Sequence, residues 1–160
     1  MEKAFILRRI IESLSEDLAV LLKAAKTAHE ASVHAENVPD NKYDTLSLEA
    51  SYIAQGQANR AQEIKAAVET YKQLSLQEFS EGCAIRLTAL VTLEADDGTT
   101  KAVFIGPDAG GLKIEENGGE VTVITPNSPL GRELIGRVAG DVVEIRTAGT
   151  EKEFEIVEVR

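Results

Sequence analysis

From Glu2 to about Ser32 the chain contains neither proline nor glycine, and Leu7, Ile11, Leu14, Leu18, Leu21, Ala25 and Ala28 recur in steps of 4-3-4-3-4-3. A strand would alternate every second residue, whereas this spacing is the a/d repeat of a coiled-coil helix. About 30 such residues make a rod of about 45 Å. Ile6, Ile10 and Leu22 broaden the stripe, which predicts more than one packing surface at the N-terminal end. The pattern stops at Ala35-Glu36-Asn37-Val38-Pro39-Asp40-Asn41. Pro39 removes a backbone donor and pushes Val38 out of the helical region, so the segment reads as a tight connection. Helical spacing resumes from about Lys42 to Leu74, with Leu46, Ala50, Ile53, Ala54, Ala61, Ile64, Val68, Tyr71 and Leu74 on the inner side. Gly56 interrupts it at a cost of about 1 kcal/mol. Two helices of nearly equal length joined by a short loop predict an antiparallel coiled-coil hairpin over residues 1–75.

The seam is graded. Near the chain start it carries Leu and Ile, and toward the loop Ala25, Ala28 and Ala31 would face Leu46, Ala50 and Ala54. Small residues let helix backbones approach closely, so the loop end should be slim. A slim finger suits a probe that enters a narrow opening, and an ordinary alanine-rich coiled coil has the same pattern.

After Ser75 the periodicity changes. Ile85, Leu87, Ala89, Val91 and Leu93 alternate with mostly polar residues, which predicts a half-buried strand. Asp96-Asp97-Gly98 signals a hairpin into a strand near Lys101–Ile105. Gly106 to Gly111 reads as a loop, followed by short strands near Leu112–Ile114 and Val121–Ile124 with Asn117-Gly118-Gly119 between them. Ser128 then suits a helix N-cap, Pro129 the first helical position, and Gly136 a left-handed end. Strands near Val142–Thr147 and Glu153–Val159 are joined through Ala148-Gly149-Thr150. The expectation is an α+β chain whose residues 76–160 form a small β-rich domain of about six strands and one helix.

Acidic residues number 27 against 17 basic ones, a net charge of −10. Tight autonomous binding to nucleic acid needs clustered Lys and Arg and is not expected. Arg8, Arg9, Lys23, Lys26, Lys42, Arg60 and Lys65 are scattered over the helices among acids, which reads as a solvated face. The one cysteine, Cys83, excludes an internal disulfide, sits in an alternating strand pattern and is expected to be a small buried apolar residue. No apolar run approaches the roughly 20 residues of a membrane span, and the N-terminus lacks the order of a secretory signal; the expected location is cytoplasmic.

The most informative run is Asn127-Ser128-Pro129-Leu130-Gly131-Arg132, with Leu134-Ile135-Gly136, Gly140-Asp141-Val142-Val143 and the ending Glu153-Phe154-Glu155-Ile156. It resembles the C-terminal signature of the bacterial Gre transcript-cleavage factors, and the likeness spans nearly the whole chain. The resemblance implies an FKBP-like C-terminal domain that docks on the rim of the RNA polymerase secondary channel while the finger reaches toward the active centre. It places Asn127, Ser128 and Pro129 on the docking surface, where helix capping alone would also account for them. Gre factors carry two tip acids separated by two positions, then Asn and, four residues after the second acid, Tyr. Aligning Tyr43 with that Tyr puts Glu36 on the first acid, Pro39 on the second and Asp40 on the Asn. Asp40 then supplies the second carboxylate only through a reshaped loop. His34 also falls on a family His position; solvent exposure is its plainer reading.

The polymerase cleaves its own transcript with two metal ions, the second weakly held. Carboxylates delivered beside that Mg²⁺ would add hard oxygen ligands and help position the attacking water. Glu36 and Asp40, with Asp44 nearby, offer such oxygens without forming a complete site, so Mg²⁺ would be shared with the polymerase and none bound by the chain alone. The first expectation is therefore an accessory factor, not an enzyme, that meets the nascent RNA 3′ end only through RNA polymerase. The second is a Gre-like regulator that occupies the same channel without stimulating cleavage, favoured by Pro39 at the second acid. The third is a peptidyl-prolyl isomerase, suggested by the FKBP-like fold and opposed by an aromatic content of 4% with no tryptophan.

Overall fold

The heptad spacing produces the helices it predicts. In the computed structural model, which describes residues 1–36 and 44–160, and within its helices all side chains except those of residues 32, 34–36, 44–47 and 50, α1 spans Lys3–Glu36 and α2 spans Asp44–Lys72. The chain divides into two compact units, Ile11–Lys72 and Met1–Ile10 together with Gln73–Arg160.

In the first unit α1 and α2 form the antiparallel hairpin. Ile11, Leu18, Leu21, Ala25 and Ala28 are half-buried and Leu14 is buried, so the a/d stripe is the seam. On α2 the seam runs through Ala54, Ala58, Ala61, Ile64 and Val68 to Tyr71. Ile53, expected on the inner side, is 57% exposed. It lies one residue, about 100°, away from the row that Ala54 belongs to. Toward the loop Ala25, His29 and Val33 of α1 line a shallow groove together with Ser51, Ala54, Gln55 and Ala58 of α2. Of the residues expected to face each other there, Ala25 and Ala54 take part, Ala31 is exposed, and the side chains of Leu46 and Ala50 lie outside the described residues. The exposed ion pairs Lys26–Glu30 at 4.0 Å and Arg60–Glu63 at 2.9 Å join neighbours on one helix, as on a solvated face.

In the second unit six strands, β1 (Leu90–Ala95), β2 (Thr100–Ile105), β3 (Lys113–Glu116), β4 (Gly119–Ile124), β5 (Val142–Thr147) and β6 (Thr150–Val159), form one sheet in the order β3-β4-β2-β1-β6-β5. All neighbours are antiparallel except β2 and β4, which run parallel with Ala102 opposite Val121 and Ile105 opposite Ile124. A bulge at Thr92/Leu93 shifts the register of β1 on β6. The short helix α3 (Pro129–Leu134) adds Leu134 to a core of Ile85, Val91, Leu93, Val103, Ile105, Ile124, Val143, Phe154 and Ile156. Phe79 lies between two cations, Lys3 Nζ at 4.7 Å and the Arg86 guanidinium at 4.6 Å from its ring centre. Those contacts and the Lys3 ammonium bonded to the Gln77 carbonyl fasten the start of α1 within this unit.

The strand expected to begin at Ile85 begins only at Leu90. Thr88 has φ +72°, a conformation costly for a β-branched residue, and it is buried. Its amide bonds the Ile105 carbonyl at 2.8 Å, and its hydroxyl accepts the Gln77 amide at 2.9 Å. Upstream, Ile85 exchanges backbone hydrogen bonds with Arg137 and Gly136 instead of joining the sheet. Cys83 therefore lies in a turn, half-buried, and not in a strand.

Candidate docking site

The turn from β4 into α3 is built on one hydroxyl. Ser128 is extended (φ −66°, ψ 157°) and caps α3, its Oγ accepting the Gly131 amide at 3.0 Å and donating to the Thr125 carbonyl at 2.7 Å. The Ser128 amide also reaches that carbonyl at 3.1 Å, and its own carbonyl accepts the Arg132 amide at 2.9 Å. Pro129 has no amide to satisfy and occupies the first helical position. The chain leaves α3 through Gly136 at φ +84°, the left-handed end expected from its sequence.

Gly131 is what allows the turn to be so tight. A Cβ there would lie 1.9 Å from the Thr125 carbonyl oxygen and 2.9 Å from Ser128 Oγ. Only a residue without a side chain permits the cap and that carbonyl to converge. Ser128 is half-buried and its hydroxyl is engaged on both sides, while Asn127 and Pro129 are exposed. The three residues expected to dock thus lie on one corner whose turn is held by the Ser128 hydroxyl.

Ser128 and Pro129 form one rim of an open groove of about 570 Å³. Its floor is apolar, from Ile124, Leu130, Ile145 and Phe154, and Lys101 and Lys152 line it as well. Lys101 Nζ sits 4.4 Å from the centre of the Phe154 ring. Burial pushes the Lys101 ammonium below the usual lysine range, and the neighbouring Lys152 charge adds to the effect. Phe154 is the one aromatic ring in the groove, and the ammonium covers it, so the lining differs from the aromatic pocket that a bound proline needs. Sequence reasoning missed this lysine pair. Lys101 on β2 and Lys152 on β6 are brought to one groove across β1, and no spacing along the chain signals it.

Of the expected tip residues, Glu36 is the last residue of α1, with its side chain outside the described residues; Asp40 lies wholly outside them, as do the side chains of Asp44 and His34. Among the described residues no three His, Cys, Asp or Glu side chains come together to hold a metal ion, and no helix is long and apolar enough to cross a membrane. Hydrogen bonding from Ser80, whose Oγ is 3.1 Å from the sulfur, lowers the Cys83 thiol below its ordinary value.

A helical hairpin followed by a small six-stranded domain, whose capped corner lies on an open groove, defines an α+β chain. Residues 81–160, half of the chain, match the family model described as the C-terminal domain of transcription elongation factor GreA/GreB, and the chain belongs to that family. A transcription elongation factor GreA of Pseudomonas aeruginosa is 41% identical over 71 residues, covering 44% of this chain and 40% of that protein. The GreA of Alkalilimnicola ehrlichii is 28% identical over 167 aligned positions, covering 100% of this chain and 99% of its own. Among solved structures, Gfh1, the GreA factor homolog 1 of Thermus thermophilus, is 23% identical over 94% of each chain with a TM-score of 0.40.

Proposed function

We propose that this Gre-family elongation factor docks on RNA polymerase at the rim of the secondary channel through the Asn127–Ser128–Pro129 corner. Once docked it stimulates the polymerase's own cleavage of backtracked RNA. The observation that supports docking is the corner itself. Ser128 spends its hydroxyl on holding the turn, and this fixes Asn127 and Pro129 as exposed groups beside an apolar groove. A preorganised corner loses little freedom on binding, so its contacts translate efficiently into affinity.

Cleavage rests on the tip. Glu36 and Asp40 would bring carboxylate oxygens to the polymerase active centre, where they would help hold a shared Mg²⁺; the chemistry such an ion would supply there is polarisation of the scissile phosphate and activation of water. The chain's part is to place those oxygens and the RNA 3′ end; the polymerase performs the reaction. A second reading, occupation of the channel without stimulation, is favoured by one observation: Pro39 stands where the family has its second acid.

The deciding assay is stalled, backtracked polymerase with Mg²⁺, with and without the chain. Binding without any gain in 3′-fragment release selects the second reading, and failure to bind removes both. If release increases, Glu36→Ala and Asp40→Ala should each lower it by about tenfold or more while binding stays nearly intact. Unchanged rates would remove the tip residues from the mechanism.

A further inference from the structure

We propose that the groove beside the Ser128 corner receives a polymerase segment carrying an aliphatic side chain and, next to it, a carboxylate, with the carboxylate held between Lys101 and Lys152. The proposal rests on the docking function above and names the chemistry of the surface that fills this groove.

The floor formed by Ile124, Leu130, Ile145 and Phe154 gains free energy by covering apolar area, at about 25 cal/mol per Å². That selects an aliphatic group over a hydrated one. The wall is cationic in a chain whose net charge is −10. Neither lysine forms an ion pair within hydrogen-bonding range among the described residues. Asp97, the carboxylate whose field Lys152 feels, spends its own oxygen on the Thr99 amide at 3.0 Å and the Thr99 hydroxyl at 2.6 Å. Two like charges facing one partly dehydrated groove repel each other, and an incoming carboxylate relieves that repulsion as it binds. A nucleic-acid strand fits the groove less well. The Phe154 face is already covered by Lys101 Nζ at 4.4 Å, so it offers no platform for a base, and phosphate gains nothing from the apolar floor.

The experiment measures binding of the full chain to core RNA polymerase by fluorescence anisotropy at about 50 and 300 mM NaCl, salts that span strong and weak screening. Lys101→Met with Lys152→Met keeps the stems and removes both charges; it should weaken binding about tenfold at low salt and flatten the salt dependence. Lys101→Glu with Lys152→Glu should weaken it about a hundredfold, and Lys101→Arg with Lys152→Arg should restore near-native affinity. Thermal unfolding of the Met variant should not fall, because like-charge repulsion is removed; a lowered melting temperature together with weak binding would assign the lysines to structure and overturn the proposal. Equal affinity of the Met and native chains at both salts would also overturn it.

Pro129→Arg separates this result from the docking function. If Pro129→Arg abolishes binding and the lysine substitutions do not, the lysine assignment fails alone. If Pro129→Arg binds as the native chain does, or the native chain does not bind at all, the docking function fails and the proposal with it. Lysine-dependent binding of a single-stranded RNA oligonucleotide, or lysine-dependent self-association in sedimentation, would replace the carboxylate segment with another occupant and overturn it.

Discussion

Gly131→Ala is the smallest substitution that tests how the docking corner is built. The added carbon would meet the Thr125 carbonyl oxygen at 1.9 Å, far inside contact distance, and that oxygen is backbone at the end of β4. Relief requires α3 to move away from Thr125, which stretches the 3.0 Å bond from the Gly131 amide to Ser128 Oγ and the 2.7 Å bond from Ser128 to the carbonyl. Loss of an N-cap costs about 1 kcal/mol. Forcing an extra methyl group into a packed site costs about 1–3 kcal/mol. A higher helix propensity for Ala returns less than about 1 kcal/mol in a six-residue helix. The net expectation is about 2–3 kcal/mol. For a domain of 60–100 residues each kcal/mol moves the midpoint by about 4–8 °C, so Tm should fall by about 10–20 °C. Urea and thermal unfolding followed by circular dichroism measure this, and polymerase affinity should fall with it at temperatures where the variant is still folded, because Asn127 and Pro129 are displaced. A variant within about 0.5 kcal/mol of the native chain, with unchanged affinity, would refute the account of a corner fixed by close approach.

Gly56→Ala supplies the opposite sign. A Cβ there meets nothing within 4 Å, and the residue is inside α2, so the hairpin should gain about 1 kcal/mol, seen as a higher unfolding midpoint of the helical signal. Glu153→Gln tests the outer face of the sheet. A shared hydrogen bond with Glu144 and the charges of Asp96 and Glu144 raise the Glu153 carboxyl above its ordinary value of 4.5. The folded state then binds its proton more tightly than the unfolded one, so native stability falls as pH rises through 4.5 and the raised value, and the penalty is fully present at neutral pH. The Gln variant should therefore be more stable than the native chain at pH 7 and indistinguishable from it well below pH 4; equal stability at pH 7 would remove the repulsion. Asp97 acts with the opposite sign. Its carboxyl is held low by Thr99, so that contribution is present above the ordinary carboxylate value and disappears as pH falls through the lowered one, which Asp97→Asn should abolish.

Features written in consecutive residues were legible in the sequence. The 4-3 spacing from Leu7 to Ala28 located the seam, and Ser128, Pro129 and Gly136 located both ends of α3, because each acts through its own backbone and that of near neighbours. The segment 85–89 misled because alternation of Ile85, Leu87 and Ala89 also arises when a chain kinks. Thr88 turns to φ +72° to bond Ile105 and Gln77, partners that no local pattern announces. Ile53 failed for a related reason: in a run rich in alanine the apolar row can be drawn one residue to either side, and the packing decides. The groove was invisible because Lys101 and Lys152 are 51 positions apart and meet only through strand order.

That strand order has a consequence for synthesis. β6 lies between β1 and β5, with Val91 opposite Val159, and the Leu90 and Arg160 backbones exchange hydrogen bonds of 2.8 and 2.9 Å. β1, with the apolar Leu90, Val91 and Leu93, therefore leaves the ribosome long before the strand that covers its free edge. At about 5–20 residues per second the interval is roughly 3–14 s. During it β1 and β2 can pair, yet one apolar edge stays open to other nascent chains. A stop codon or cleavage upstream of residue 150 would make that interval permanent. It would remove an inner strand of the sheet, and the product would be lost to aggregation or proteolysis instead of persisting as a shortened factor with a working hairpin.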